Sequence, residues 1–181
     1  MTDELETLLD VARRLQDADI PYMVTGSFAM AFYAVPRMTR DIDIVISPPA
    51  NSSGKIVKAF QNGYYVSESA VVEALQNSRV FNIISDESVV KVDLIIKKNN
   101  PVANGAFSHR RRVEVEGNGI YVTSKEDLII AKLVWMSRTD SEMQEKDIRI
   151  LLNTGCDLEY LRDNAAEAGV AGALNDILKN G

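Results

Sequence analysis

Two residue types that build many active sites are nearly absent. Cys156 is the only cysteine of the 181-residue chain, and His109 is the only histidine. A single thiol excludes an internal disulfide and any multi-cysteine zinc site. A single imidazole excludes a histidine metal cluster. A Ser-His-Asp triad would have to use His109, and no Gly-x-Ser-x-Gly turn is present to display the serine. No apolar run approaches the ~20 residues that span a bilayer. The stretch 1–10 is acidic and lacks a signal-peptide core, so the expected setting is cytoplasmic, with no membrane. Basic charge is not in excess either: 20 Lys and Arg stand against 26 Asp and Glu, a net charge of −6. That argues against a general nucleic-acid binder, while leaving room for a local basic patch at a tRNA end or a triphosphate. Metal chemistry, if present, must rest on carboxylates, which favours Mg²⁺ or Mn²⁺.

What is present reads as one compact unit with a core of real size. Leu5, Leu8, Leu9, Ala12 and Leu15 recur at helical spacing, and Asp19 to Pro21 ends that helix. Tyr22–Val24 predicts a strand, Phe28–Val35 a helix closed by Pro36, and Asp41–Ser47 a second strand. Ser53–Asn62 reads as a helix stopped by Gly63, and Ser67 as the cap of another that runs to Asn77. Val80–Ser85 and Val89–Lys97 read as strands joined at Asp86-Glu87, a turn that requires an antiparallel pair. Pro101–His109 suggests a short helix interrupted at Gly105. Val113–Glu116 and Ile120–Val122 suggest an edge hairpin across residues 117–119. From Ser124 the chain is helical, with capping boxes at Ser124/Asp127 and Ser141/Gln144, and with Gly155 and Gly169 at helix ends. The expected class is α/β (α+β): a mixed sheet backed by helices over residues 1–123, then a helical annex over 124–181.

The chemistry concentrates in Tyr22 to Ile46. Gly26-Ser27 sits at the turn from strand to helix, where free backbone N–H groups and a partial positive charge suit a phosphate. In Asp41-Ile42-Asp43-Ile44-Val45-Ile46 the two acids share one face of a strand and the isoleucines share the other. Two adjacent carboxylates repel each other. They are stable if they hold divalent metal, or if solvent and the nearby Arg37 and Arg40 screen them. A third acid, Asp93, lies on the same face of a later apolar strand as Lys91. There it must be paired, solvated or metal-bound. Lys91 either neutralises Asp93 or contacts phosphate. A phospho-aspartate mechanism fits poorly, because the apolar residues follow the Asp-x-Asp pair rather than precede it. Lys132 lies in an apolar helical stretch, with its stem expected in the core and its ammonium reaching outward. Trp135 reads as a core residue or an annex anchor, with base stacking as the minor alternative.

Gly26, Ser27, Asp41, Asp43 and Asp93, in this order, resemble the pattern of the nucleotidyltransferase superfamily, whose fold is shared with DNA polymerase beta. The run Pro36-Arg37-Met38-Thr39-Arg40-Asp41-Ile42-Asp43 resembles the branch that contains AbiEii-type toxins. Phe81-Asn82-Ile83-Ile84, Lys91-Val92-Asp93, Arg110-Arg111-Arg112, Glu126 to Leu133 and Trp135 resemble small bacterial members of the superfamily. The resemblance covers Tyr22 to about Leu152. It implies transfer of a nucleoside monophosphate from a nucleoside triphosphate to an acceptor hydroxyl, with release of pyrophosphate and two Mg²⁺ or Mn²⁺ ions as cofactors. Asp41, Asp43 and Asp93 would be the catalytic and metal-holding residues. Gly26, Ser27, Arg37, Thr39, Arg40, Lys91 and Lys132 would bind the nucleotide, and one arginine of 110–112 would meet triphosphate or acceptor. The acceptor could be tRNA, protein or a small molecule. The rival readings are a non-catalytic nucleotide-binding or toxin-antitoxin module on the same fold, and a metal-dependent phosphoesterase.

Overall fold

The computed structural model describes residues 2–35, 41–139 and 141–179. Among the described residues seven strands form one sheet: β1 (Tyr22–Thr25), β2 (Asp41–Ile46), β3 (Tyr64–Val66), β4 (Val80–Ser85), β5 (Lys91–Ile96), β6 (Arg111–Val115) and β7 (Asn118–Val122). Their order is β3-β4-β5-β2-β1-β7-β6. Pairs β2/β5 and β1/β7 run parallel, and the other neighbours are antiparallel. The turn after Ser85 makes the expected antiparallel β4/β5 hairpin.

Alternation in the central strands divides the sheet into a dry face and a polar face. Ile42, Ile44 and Ile46 of β2 and Val92 and Leu94 of β5 are fully buried. They pack against α1 (Asp3–Asp17), α3 (Ser53–Phe60) and α4 (Glu68–Asn77) through Leu8, Leu15, Ile56, Phe60 and Val71. Each such aliphatic side chain contributes about 2 kcal/mol relative to exposure. A one-residue slip of β2 would send three isoleucines to the polar face and two aspartates into this core, so the register is strongly fixed. Burial on one face therefore forces Asp41, Asp43 and Asp93 onto the other.

A second core gathers α2 (Gly26–Met30) with α6 (Lys125–Thr139), α7 (Glu142–Asn153), α8 (Leu158–Glu167) and α9 (Ala171–Lys179). The helix after the Gly-Ser turn is thus shorter than expected. Residues 31–34 form turns, and Ala29 and Met30 join the C-terminal helices instead of the sheet's dry core. This packing fastens the turn that carries Gly26 to the helical annex. Three further details differ from the sequence pattern. β3 is only three residues long, too short for alternation to show. The helix at 101–108, α5 (Pro101–Ser108), runs through Gly105 without interruption. Its Asn100 cap accepts from the Ala103 N–H at 2.8 Å and Pro101 pre-sets the first turn, which offset the ~1 kcal/mol cost of an interior glycine. Ser141 makes no side-chain cap, and the Gln144 N–H donates to its backbone carbonyl instead. Among the described residues no helix is long and apolar enough to cross a membrane.

Candidate active site

The parallel pairing of β2 with β5 sets Asp43 directly beside Asp93, and Asp41 beside Lys91. Both strands start at this end of the sheet, so the acidic side chains crowd its rim. Exposure grades across the group: the Asp93 side chain is 23% exposed and that of Asp41 61%. Asp43 lies innermost, and its carboxyl is pushed up to about 6 by burial first, then by the charges of Asp93 and Asp41. Lys91 and Lys132 oppose that rise. Among the described residues, these two ammonium groups do not offset the burial and the neighbouring acids.

Gly26, the first residue of α2, presses on this carboxylate. Its φ is +63°, and a Cβ built there would lie 2.1 Å from Asp43 Oδ2. The glycine is thus required twice, once by its backbone conformation and once by the approach of an acid. The sequence suggested close approach of a phosphate; the side chain that uses the clearance in the fold is Asp43. Gly26→Ala is expected to cost about 2 kcal/mol and to displace the Asp43 carboxylate. A chemical denaturation curve gives the first, and weakened binding of a magnesium-triphosphate analogue the second. Retained binding at full wild-type strength would show that the carboxylate position is unimportant. Ser27 is buried at the start of α2. Thr25, at the N-cap, makes no side-chain capping bond, so it does not occupy the N–H groups of the first turn.

Lys91 Nζ donates to Asp93 Oδ2 at 3.1 Å and lies 3.6 Å from Asp41 Oδ1. Of the two roles open to Lys91, neutralisation is what the fold displays, and it extends to two acids. Among the described residues no group of three or more His, Cys, Asp or Glu already forms a metal-holding cluster. The donor set nevertheless suits a hard divalent ion in kind. It is all carboxylate oxygen, burial and the neighbouring acids raise the Asp43 carboxyl, and an ammonium already bridges two of its members.

Lys132 departs from expectation. Its ammonium does not reach solvent: the residue is 5% exposed, and Nζ donates to Asp147 Oδ2 at 2.7 Å and to Gln144 Oε1 at 3.1 Å. Asp147 is 2% exposed. The pair joins α6 to α7, and its positive end is close enough to Asp43 to hold that carboxyl's affinity for protons down. Asp147 and Gln144 were not legible as site residues, because nothing local in α7 announces a partner on another helix. Asn82 of β4, exposed and in register with Asp93, is a further neighbour the pattern did not single out.

The arginine run divides by role. Arg110 lies over the rings of Phe107 and Tyr121, at 4.4 and 5.0 Å from their centroids. Arg112 pairs with Glu114 at 3.0 Å. The side chain of Arg111, exposed at the start of β6, makes no hydrogen bond or ion pair among the described residues, which leaves it available to a ligand. Trp135 is 60% exposed and is not a core residue, because it lies off the buried face of α6. His109 is tied into the annex: its Nδ1 lies 2.9 Å from the Tyr160 hydroxyl, which donates to the buried Asp127 at 2.7 Å. The Ser124 hydroxyl accepts from the Asp127 N–H at 3.1 Å, as the expected capping box requires. Arg37, Thr39 and Arg40 lie outside the described residues.

Comparison with solved structures places the fold. A nucleotidyltransferase-like protein from Paracoccidioides brasiliensis superposes with a TM-score of 0.59 at 20% identity, over 84% of this chain and 76% of its own. ANT(2")-Ia, in complex with adenylyl-2"-tobramycin, gives 0.61 at 13% identity over 92% and 97%. The chain has the nucleotidyltransferase fold. The lincosamide antibiotic adenylyltransferase LnuA, lincomycin-bound, gives 0.54 at 18% identity over 85% and 98%. No family model matches the chain, and no curated protein matches it. The superfamily fold implied by the Gly-Ser and Asp-x-Asp pattern is therefore present.

Proposed function

We propose that this protein is a metal-dependent nucleotidyltransferase that moves a nucleoside monophosphate from a nucleoside triphosphate to an acceptor hydroxyl. The observation that carries the reading is the register: Asp43 beside Asp93 and Asp41 beside Lys91, with Gly26 packed against the Asp43 carboxylate. Asp41, Asp43 and Asp93 would hold two Mg²⁺ or Mn²⁺ ions. When bound, such ions supply Lewis-acid charge at the transferring phosphate and the departing pyrophosphate. The chain's own groups do the rest. The backbone at Gly26 and Ser27 cradles the outer phosphates. Lys91 and Arg111 offer cations to the triphosphate, and Lys132 supports the field behind Asp43. Asp93 takes the proton of the acceptor hydroxyl. That oxygen then bonds to the α-phosphorus as the bond to the pyrophosphate oxygen breaks. Arg37, Thr39 and Arg40 join the nucleotide contacts on the strength of the 36–43 run, which also supports a place near the AbiEii-type branch.

The sheet unit 1–123 would carry the chemistry, and the helical annex 124–181 would form one wall of the cleft. Two neighbours of this fold are named for antibiotic chemistry, one bound to adenylyl-2"-tobramycin and one to lincomycin. A small-molecule hydroxyl is therefore one acceptor class to set beside tRNA and protein. The test uses each α-labelled triphosphate with Mg²⁺ and a cell extract separated into RNA, protein and small-molecule fractions. Label joined to one fraction, with an equal yield of pyrophosphate, supports the proposal. Release of free monophosphate or orthophosphate alone would favour a phosphoesterase. No consumption of any triphosphate would favour a binding module.

A further inference from the structure

The Lys91 ammonium does more than neutralise one acid. It reaches across the parallel β2/β5 pair to Asp93 on its own strand and to Asp41 on the neighbouring one, at 3.1 and 3.6 Å. The register explains why it can. Asp41 is the direct partner of Lys91, and Asp93 follows two residues later on the same face. Its side chain is 39% exposed. The ammonium can therefore leave the carboxylates for solvent or for a new anion by rotating its stem, without unfolding the strand. A divalent ion that used Asp41 and Asp93 would meet this cation at close range, where the ammonium repels it and competes for the same oxygens.

We infer that Lys91 is a built-in counter-ion that holds the site in the absence of metal and makes divalent-ion binding depend on nucleotide. This rests on the reading of Asp41, Asp43 and Asp93 as metal ligands. In the free protein the ammonium offsets carboxylate repulsion and competes with metal for the same oxygens. A triphosphate offers it another anionic partner. Once Lys91 turns to phosphate, its contacts on Asp41 and Asp93 can be taken over by metal. Nucleotide and metal then bind with positive coupling, and each strengthens the other by the same factor. The device suits an enzyme that should not hold metal in an empty cleft. It also gives Lys91 both of the roles its position suggests, one before the nucleotide arrives and one after.

The test is Mn²⁺ binding, read as loss of the free-ion paramagnetic resonance signal, with and without α,β-methylene ATP. The proteins are wild type, Lys91→Met and Lys91→Arg. Methionine keeps the apolar stem and removes the charge; arginine keeps the charge. Lys91→Met is expected to bind Mn²⁺ alone about tenfold more tightly than wild type, from the loss of one close positive charge. Lys91→Arg should behave as wild type. The analogue should tighten Mn²⁺ binding severalfold in wild type and much less in Lys91→Met. If Lys91→Met melts at low temperature in chelator, Mn²⁺ should restore its melting temperature by more than it shifts wild type. Equal or weaker Mn²⁺ affinity in Lys91→Met, or no such restoration, would overturn the counter-ion role while leaving the metal reading intact. Failure of all three proteins to bind Mn²⁺ with or without the analogue would remove the metal reading itself, and the inference with it.

Discussion

Asp43→Asn is expected to abolish nucleotidyl transfer, on the order of a thousandfold or more, while making the metal-free protein more stable. The two effects have one cause. Asp43 is buried beside Asp93 and Asp41, and its carboxyl is pushed from the ordinary 3.8 to about 6. Its affinity for protons is therefore higher folded than unfolded. The stabilising contribution is fully present below pH ~4 and is lost as pH rises through ~6. At pH 7.5 the ionised side chain costs the metal-free fold about 3 kcal/mol, which asparagine would not. Melts of both proteins in chelator from pH 4 to 8 should show wild type losing ground to the variant between pH 4 and 7. Addition of Mg²⁺ and a non-hydrolysable triphosphate should raise the melting temperature of wild type and leave Asp43→Asn nearly unchanged. An Asp43 held by a structural ion pair would give the opposite: a variant less stable at neutral pH and a wild type indifferent to Mg²⁺.

Lys132→Met is expected to destabilise the protein by about 3–5 kcal/mol, because it leaves the Asp147 carboxylate without the ammonium 2.7 Å away at a position only 2% exposed. For a chain of this size that is a fall of roughly 10 °C in melting temperature. The double variant Lys132→Met/Asp147→Leu should recover part of the loss, since an apolar pair of similar volume removes the buried charge altogether. Purely structural damage would end there. Lys132 also lowers the proton affinity of Asp43, so its loss should move the pH dependence of metal-free stability to higher pH. That shift is read from the same melts repeated across pH. If the midpoint stays in place, Lys132 fastens α6 to α7 and has no part in the electrostatics of the site.

These two residues mark how far the sequence could be read. The Asp-x-Asp strand was legible because alternation with isoleucine fixes which face each side chain takes, and the dry core fixes which face is inward. Asp93 and Lys91 were legible for the same reason, and the turn at Asp86-Glu87 gave the antiparallel pair. The Gly26-Ser27 turn was legible as a position, yet its physical cause was not, since the Asp43 carboxylate against Gly26 belongs to a neighbouring strand. How deeply Asp43 sits could not be read either. Burial at a strand end depends on α2 and the strands around it, not on local pattern. The Lys132–Asp147 pair spans two helices, and an apolar helical run gives no sign of whether its lysine snorkels out or finds a carboxylate inside. Trp135 erred the other way, because a large aromatic beside a buried stripe reads as core, while its place on α6 leaves it 60% exposed.

The central claim is that Asp41, Asp43 and Asp93 together hold the metal that serves a triphosphate. Anomalous diffraction at the manganese edge, from crystals grown with Mn²⁺ and α,β-methylene ATP, tests it directly. The account predicts anomalous peaks within ligand distance, roughly 2.1–2.3 Å, of oxygens of all three carboxylates, with the phosphates lying against the turn at Gly26 and Ser27. Peaks elsewhere on the surface, or a triphosphate bound while Lys91 still bridges Asp41 and Asp93, would contradict it.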